Sequence, residues 1–358
     1  MTKPLKANAS KEITTVKLTI GVPVFNAELW LKDFLKEFDR IIIPKDIEAT
    51  FVFTDDGSKD RSLKILKSYY NKSLATKQVI VIENKQNLGL GATRNKIINW
   101  GLTHNTDYFW FIDCDDSVDP NIFKYTVPFM QQGIDLISFG LILTTSLKSA
   151  NNTFDTHYKT IDLTSEQSLI GLFTEKLITP STNDKVLHAD LLRKFSFKEG
   201  LIEDLFFTAR LLFSNKAHKH IKKNLYYYAQ GNNTLTKSNK FFLNLIPATR
   251  KTCDFAKNNT TISHEILDAY FFQHAVSPVL VALHSKQNFT DAEKKVLKNQ
   301  LSEIAKPDKS LLRNALKKKN IRQFILLVPL LSEGKTQNLM YKILSIIRAN
   351  FRILLRRI

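Results

Sequence analysis

Segments with the periodicity of β-strands and segments with the periodicity of α-helices alternate along residues 16–143. Val16–Val24 is a continuous run of strand length, whereas Glu28–Phe38 repeats its apolar residues every three or four positions. The alternation continues with predicted strands Ala49–Thr54, Gln78–Glu83, Tyr108–Ile112 and Asp135–Leu143 and predicted helices Asp60–Tyr70, Gly89–Leu102 and Asp119–Gln131. This order predicts an α/β fold in which a mostly parallel sheet lies between two layers of helices and ligands bind beyond the carboxyl ends of the strands.

The pattern changes at about residue 237. Before it, Ser165–Lys176 and Glu203–Phe213 have helical spacing, and His218–Ala229 has that of a strand. After it, only helices are predicted, at Phe241–Ala256, Ile266–Ala282 and Ala292–Ile304. We therefore expect four regions, a leader at 1–15, an α/β domain at 16–236, a helical region at 237–334 and a terminal helix at 335–358.

Cysteine usage and hydropathy indicate a reducing compartment. Cys114 and Cys253 are far apart, which gives neither a disulfide framework nor a metal-binding Cys pair. The N-terminal residues lack the apolar segment of a signal peptide, and the apolar run Phe324–Leu331 is too short to span a bilayer and contains Pro329. From these features we expect a soluble protein of the cytoplasm.

The net charge of +18 is concentrated near one end of the chain. Residues 309–358 contain 12 Lys and Arg but a single acid, Glu333. Within this stretch, residues 335–358 place apolar and basic positions at helical spacing. A basic amphipathic helix binds an anionic membrane surface with about 1 kcal/mol for each Lys or Arg near it. An ordinary helix packed on the domain is the alternative, and nucleic acid is a further partner for so basic a chain.

The loop Thr54–Asp60 follows the second predicted strand and contains two adjacent carboxylates, Asp55 and Asp56. At a strand terminus they would accept hydrogen bonds from a base N–H and from ribose hydroxyls, next to the segment Val22–Asn26 at the end of the first strand. The alternative is a turn in which Asp60 caps the following helix.

Three carboxylates within four residues, Asp113, Asp115 and Asp116, follow the apolar strand Tyr108–Ile112. Like charges this close repel one another, and a hard divalent cation such as Mn²⁺ or Mg²⁺ relieves the repulsion. Such a cation would bridge the phosphates of a nucleotide diphosphate. The alternative is a solvated acidic loop before a helix that begins near Asp119, although its position after so apolar a strand favours the metal site.

A glycine-rich turn, Asn87–Asn95, opens the third helix with Gly89 and Gly91. The helix N-terminus could hold a phosphate, but the third glycine of a dinucleotide-binding motif is missing. The alternative is a tightly packed turn in which Arg94 pairs with a nearby carboxylate.

In this order and spacing, the motifs resemble the GT-A domain of glycosyltransferase family 2. The resemblance covers about residues 16–236 and continues through Asn183–Leu187, Phe197–Phe207 and Tyr226–Leu235. It implies a GT-A, nucleotide-diphospho-sugar transferase fold with a helical C-terminal extension. Gly21 stands where the family usually has an apolar residue and Cys114 where it usually has Ser, but neither departure removes a carboxylate.

The resemblance also implies roles for individual residues. The residues implied to hold the nucleotide are Pro23, Phe25, Asn26, Asp55, Asp56, Arg94 and Asp113. Pro23, Phe25 and Asp56 would contact the base, whereas Asp55 and Asp113 would lie near the ribose. The residues implied to bind Mn²⁺ or Mg²⁺ are Asp113, Asp115 and Asp116, with Asp115 the main ligand. The residues implied in catalysis are Asp204, as base, and its neighbour Glu203.

These roles predict an inverting glycosyltransferase, with UDP the usual nucleotide of the family's donors. One base deprotonates an acceptor hydroxyl, the diphosphate departs, and a single displacement inverts the anomeric centre. The acceptor would be a saccharide or lipid-linked glycan of cell-surface polysaccharide synthesis, reached from the inner face of the membrane. Two alternatives stay open, a sugar nucleotidyltransferase on the same scaffold and a basic nucleic-acid-binding protein, although the acidic clusters argue against the latter.

Overall fold

The computed structural model describes residues 15–73, 78–144, 155–174, 177–198, 200, 202–229, 238–283, 285 and 287–305. The predicted terminal helix at 335–358 and all of the predicted leader except residue 15 lie outside these residues. The described residues form two compact units. The first contains those within 15–168, 177–198 and 210–229, and the second those within 169–174, 200–209 and 238–305. Two short segments that precede the predicted boundary at residue 236 group with the C-terminal helices, and the predicted domain bounds stay a prediction.

A mixed sheet forms the centre of the first unit. Its strands in the described part of the chain are β1 (Val16–Val24), β2 (Ile47–Asp55), β3 (Gln78–Glu83), β4 (Tyr108–Phe111), β5 (Ser117–Val118), β6 (Leu136–Thr144), β7 (Thr160–Leu163), β8 (Lys185–His188) and β9 (His218–Ala229). They are ordered β3-β2-β1-β4-β8-β6-β9-β5, and β7 pairs with β9. Neighbours from β3 to β4 are parallel, whereas β8 runs antiparallel to both β4 and β6. The predicted parallel sheet is therefore correct for its first half.

Most of the helices lie in intervals that the sequence predicts, but the short helix Ala189–Lys194 was not predicted. The helices are α1 (Leu31–Asp39), α2 (Ser62–Ser73), α3 (Leu90–Thr103), α4 (Ile122–Met130), α5 (Ser165–Phe173), α6 (Ala189–Lys194), α7 (Glu203–Ser214), α8 (Asn239–Asn259), α9 (His264–Phe271), α10 (Ser277–Leu283) and α11 (Asp291–Ala305). In α1, the buried side chains recur at helical spacing, and the ring of Phe38 packs on that of Phe51 with centroids 4.6 Å apart. Burial of such aromatic faces stabilises the helix layer against the sheet.

Gly21 allows α3 to approach the middle of the sheet. A Cβ atom at this position would lie 2.7 Å from Cγ2 of Ile97 in α3. The space that an apolar side chain would fill is therefore occupied by Ile97, so the departure from the family pattern is explained by packing.

The predicted helix Ile266–Ala282 is interrupted. A π-helical turn, Phe272–Val276, separates α9 from α10. Pro278 lacks an N–H, and its ring would collide with a carbonyl one turn earlier in a regular helix, so the wider turn relieves the collision. His264–Leu283 is long and apolar enough to cross a membrane by length and composition, but 56% of its apolar window is buried inside the protein, as in a core helix.

Candidate functional site

The carboxyl ends of β1 and β2 meet at one edge of the sheet, where a loop from each strand is fastened to the other. Val24 lies beside Asp55 in the register. The Oδ1 atom of Asn26 accepts a hydrogen bond from the backbone N–H of Lys59 at 2.8 Å, and the N–H of Asn26 donates to Oγ of Ser58 at 3.0 Å. Asn26 therefore holds the two loops together, and its predicted contact with a nucleotide stays a prediction.

The carboxylate of Asp56 is buried and accepts three hydrogen bonds. Its Oδ1 atom accepts from Nδ2 of Asn84 at 2.8 Å and from the backbone N–H of Leu88 at 2.9 Å, and its Oδ2 atom accepts from the N–H of Gly89 at 2.9 Å. These contacts join the end of β2 to the loop before α3. They leave few of its lone pairs for a base, so Asp56 has a structural role here besides the predicted one.

Asp55 has one satisfied oxygen and one unsatisfied oxygen. Its Oδ2 atom accepts from the N–H of Ser58 at 3.0 Å, but its Oδ1 atom is buried and has no hydrogen-bond partner in the described part of the chain. A buried acceptor without a donor is costly unless a ligand supplies one. Pro23 is buried within β1, whereas the adjacent Phe25 side chain is 43% exposed. The edge thus offers an exposed apolar ring, which suits a base, and a buried carboxylate oxygen that lacks a hydrogen-bond donor.

Arg94 is fully buried and is paired with Asp113, as the structural alternative for the glycine-rich turn predicts. The distance between Nη2 and Oδ1 of Asp113 is 3.0 Å. The guanidinium also lies near two aromatic rings, with Cζ 5.4 Å from the centroid of Phe197 and 6.0 Å from that of Phe111. Arg94 therefore fixes the beginning of the acidic loop 113–116.

The other oxygen of Asp113 and both oxygens of Asp116 are also hydrogen-bonded. Oδ2 of Asp113 accepts from Nδ2 of Asn183 at 2.8 Å. Oδ2 of Asp116 accepts from the Tyr226 hydroxyl at 2.6 Å, and its Oδ1 accepts from the N–H of Ala229 at 2.8 Å. Asp115 is half-buried, and no other described residue donates a hydrogen bond to its side chain.

The electrostatics of the loop follow from this crowding. Burial, with the nearby charge of Asp113, raises the pKa of Asp115 to about 6. Burial, with the charges of Asp113 and Asp115, also raises the pKa of Asp116, and the hydrogen bonds from Tyr226 and Ala229 oppose this rise. Both shifts arise because a carboxylate charge is unfavourable in a buried site near like charges. Positive charge added at this loop would therefore stabilise the ionised carboxylates.

The predicted cation fits only part of the predicted ligand set. Among the described residues, no group of three or more His, Cys, Asp and Glu side chains is arranged to hold a metal ion. Asp113 and Asp116 face hydrogen-bond donors of the protein, which leaves Asp115 as the open carboxylate. Mg²⁺ in nucleotide sites commonly takes one or two carboxylates together with phosphates of the substrate. Asp115 fits that mode, and the metal roles of Asp113 and Asp116 stay predictions.

Glu203 and Asp204 form the first turn of α7 in the second unit and are half-buried. Two residues later, the ring of Phe206 packs on that of Phe255 with centroids 5.7 Å apart, and Nζ of Lys251 lies 4.5 Å from its centroid. The start of α7 is thus fixed on α8. The catalytic roles of both acids stay predictions.

Sequence reasoning assigned no role to three residues that position the site, namely Asn84, Asn183 and Tyr226. Asn84 accepts a hydrogen bond from Nζ of Lys96 at 2.6 Å while it donates to Asp56. Asn183 and Tyr226 belong to segments that carry the family resemblance, which was the one available signal. Their partners lie 70 and 110 residues away in sequence, so no local pattern reveals the contacts.

Comparison with known proteins gives concordant matches. The model of glycosyl transferase family 2 matches residues 19–201, just over half of the chain. An uncharacterised glycosyltransferase of Synechocystis is 24% identical over 195 residues, which are 52% of this chain and 57% of that protein. The chain therefore spans little more than half the length of this relative.

Solved structures of S. aureus TarS are similar over most of the chain. TarS 1–349 in complex with UDP-GlcNAc superposes with a TM-score of 0.62 and 18% identity, covering 87% of this chain and 90% of that one. A longer TarS structure gives a TM-score of 0.59 at 18% identity, covering 86% of this chain and 54% of that one. At this identity the likeness shows the fold, which is the predicted GT-A fold.

Proposed function

Because this chain belongs to glycosyl transferase family 2, we propose that it transfers a sugar from a nucleotide-diphosphate sugar to a hydroxyl group of a glycan or lipid-linked acceptor. The observation that carries the proposal is the carboxylate of Asp115, which is open while its neighbours are hydrogen-bonded within the protein. A donor of this kind brings a diphosphate. A cation shared by the diphosphate and the Asp115 carboxylate would offset the negative charge of both.

We propose a UDP-sugar as the donor. TarS structures contain UDP-GlcNAc and UDP, which supports uracil as the base of the donor. In this chain Phe25 would lie against the base, and Oδ1 of Asp55, which lacks a donor in the described part of the chain, would accept a hydrogen bond from the ribose once the loop admits it. Pro23, Asn26 and Asp56 would hold the loops that form this site.

The proposed reaction is a single displacement at the anomeric carbon. Asp204 would take the proton of the acceptor hydroxyl as its oxygen forms the new bond to that carbon. The bond between the carbon and the diphosphate oxygen breaks, and the nucleoside diphosphate leaves with the electron pair. When bound at Asp115, Mn²⁺ or Mg²⁺ would supply positive charge that stabilises the departing diphosphate. A single displacement inverts the configuration.

A screen of nucleotide-sugars for Mn²⁺-dependent release of nucleoside diphosphate tests the proposal without knowledge of the acceptor. Slow hydrolysis of one donor, with UDP as the product, is the expected result. Release of pyrophosphate from a nucleoside triphosphate and a sugar phosphate would instead identify a nucleotidyltransferase.

The variant Asp204→Asn tests the base. We expect unchanged donor affinity and turnover lowered by about 10²-fold or more, the scale of a lost general base. Glu203→Gln is the matched control, since it alters the neighbouring acid on the same turn. Turnover of wild-type size in Asp204→Asn, with a large loss in Glu203→Gln, would move the base to Glu203.

We further propose that the enzyme works in the cytoplasm on the inner face of the membrane, in cell-surface polysaccharide synthesis. The support is the basic amphipathic sequence of residues 335–358. Removal of these residues should leave UDP binding intact but abolish co-sedimentation with anionic vesicles, and neutral vesicles should bind poorly. An unstable truncated protein with unchanged vesicle binding would indicate a helix packed on the domain.

A further inference from the structure

The hydroxyl group of Tyr226 connects three parts of the acidic site. It donates to Oδ2 of Asp116 at 2.6 Å, and it accepts from the backbone N–H of Asp113 and from Nδ2 of Asn183, each at 3.1 Å. The tyrosine ring is fully buried. With one donated and two accepted hydrogen bonds, the hydroxyl uses its full hydrogen-bonding capacity.

Asp116 is bound on its other side to the end of β9. Its Oδ1 atom accepts from the N–H of Ala229 at 2.8 Å, and its side chain is fully buried. Both oxygens therefore face donors of the protein. A buried carboxylate that lost either donor would be strongly disfavoured.

Asn183 links the same hydroxyl to the first residue of the loop. Its Nδ2 atom donates to Oδ2 of Asp113 as well as to the Tyr226 hydroxyl. Its backbone carbonyl oxygen accepts from Nε1 of Trp110 at 2.7 Å. The first and last carboxylates of the loop are thus held by one connected set of hydrogen bonds, and Asp115 between them is left open.

We propose that Asp116 and Tyr226 act together as positioning residues, which fasten the acidic loop to β9 so that Asp115 alone presents its carboxylate to the cation. The inference rests on the proposed function, because it presumes a cation and a diphosphate at this loop. It differs from the sequence prediction, in which Asp116 is itself a metal ligand.

A double-mutant cycle on the full chain tests the pair. Tyr226→Phe, Asp116→Asn and the double variant are titrated with UDP in the presence and absence of MnCl₂. Each single variant should lose about 10–100-fold of the Mn²⁺-dependent gain in UDP affinity, the scale of a lost partner behind a metal ligand. The double variant should lose no more than the worse single variant, because the hydrogen bond between the two side chains is already lost in either single variant.

Affinity for UDP without Mn²⁺ separates positioning from a general loss of structure. Among the described residues, neither Asp116 nor Tyr226 makes a hydrogen bond to the loops after β1 and β2, so this affinity should not change. Tyr227→Phe is the matched control, since it removes a hydroxyl from the next residue of β9 and Tyr227 makes no hydrogen bond to another described residue through it. It should bind as the wild type does.

Loss of Mn²⁺-dependent affinity in Asp116→Asn but not in Tyr226→Phe would overturn the inference and restore Asp116 as a ligand. Equal loss with and without Mn²⁺ would also overturn it. If wild-type protein bound no UDP under either condition, the proposed function would fail instead. The same cycle measured by thermal unfolding would then decide the pairing, because independent, additive shifts in Tm would contradict it. If Asp116→Asn does not fold, unchanged affinity in Tyr226→Phe is sufficient to reject the pair.

Discussion

The acidic loops that follow β2 and β4 both place aspartates at the same edge of the sheet. The surroundings of the aspartate side chains differ between the two loops. Asp55 and Asp56 of the first loop accept hydrogen bonds from backbone N–H groups, those of Ser58 in the same loop and of Leu88 and Gly89 in the loop after β3. In the second loop the carboxylates lie close to one another, and their mutual repulsion adds to the cost of burial. The difference indicates that the first loop suits neutral hydrogen-bonding groups of a ligand, whereas added positive charge, such as the proposed cation, would relieve the repulsion in the second.

The largest expected effect separates two residues of the second loop. Asp113→Ala would leave the fully buried guanidinium of Arg94 without its carboxylate, at a cost of about 3 kcal/mol or more in the free energy of unfolding. Asp115→Ala, the matched control, removes a carboxylate that has no such partner and should cost little. Urea unfolding of both variants measures the difference. Equal destabilisation by the two substitutions would mean that the carboxylates of Asp113 and Asp115 do not differ in their contribution to stability.

Asp115→Asn should have the next largest effect, on binding rather than stability. We expect the Mn²⁺-dependent part of UDP affinity to fall by about 100-fold, because the one open carboxylate is lost. Calorimetry with and without MnCl₂ measures it. Asp33→Asn, which changes an exposed acid in α1, is the control and should bind as wild type does. Unchanged affinity in a folded Asp115→Asn variant would remove this residue from the site.

Gly57→Ala tests the backbone of the first loop. Gly57 has φ +71°, and a Cβ atom there would lie 2.6 Å from the carbonyl carbon of Gln86. The strain and the collision together should cost about 2–3 kcal/mol. Gly133 has φ +72° with no atom within 4 Å of the added Cβ, so Gly133→Ala isolates the conformational cost of about 1 kcal/mol. Thermal or urea unfolding compares the two variants. An equal loss in the free energy of unfolding would show that the backbone near Gln86 shifts to accommodate the added Cβ atom.

The smallest effect concerns pH. The pKa of Asp115 is raised to about 6 in the folded protein, against about 3.9 in an unfolded chain. The folded state therefore binds this proton more tightly, and its ionisation lowers stability as the pH rises from about 4 to about 6. Asp115→Asn should match the wild-type Tm below pH 4 and exceed it above pH 6, by about 2–4 °C for each kcal/mol involved. A difference that is constant with pH would contradict the raised pKa.

Much of the fold was predictable because its strands are long and apolar. The bounds of β1, β3 and β9 agree with the sequence prediction. The strands β5, β7 and β8 were missed, since runs of two to four residues have no measurable periodicity. The antiparallel β8 in the middle of the sheet follows from long-range pairing that no local pattern contains.

The candidate site was predictable as a set of residue types and only partly as an arrangement. The motifs correctly placed Asp55 at the end of one parallel strand and Asp113 just beyond the end of another. They did not reveal which carboxylates accept hydrogen bonds from the protein itself. Those bonds depend on donors such as Tyr226, which lies 110 residues from Asp116 in sequence. The resemblance therefore implied all three acids as metal ligands, with Asp115 the main one, although their surroundings differ.

Asp115 has the one open carboxylate of the second loop, between the hydrogen-bonded carboxylates of Asp113 and Asp116. A titration of Mn²⁺ into the protein with and without UDP tests this central claim most directly. A single carboxylate binds a divalent cation weakly, so Mn²⁺ alone should bind poorly, and saturating UDP should strengthen its binding by about 100-fold or more, with an equal effect of Mn²⁺ on UDP. Tight binding of Mn²⁺ in the absence of UDP, or UDP binding that is indifferent to Mn²⁺, would contradict this account.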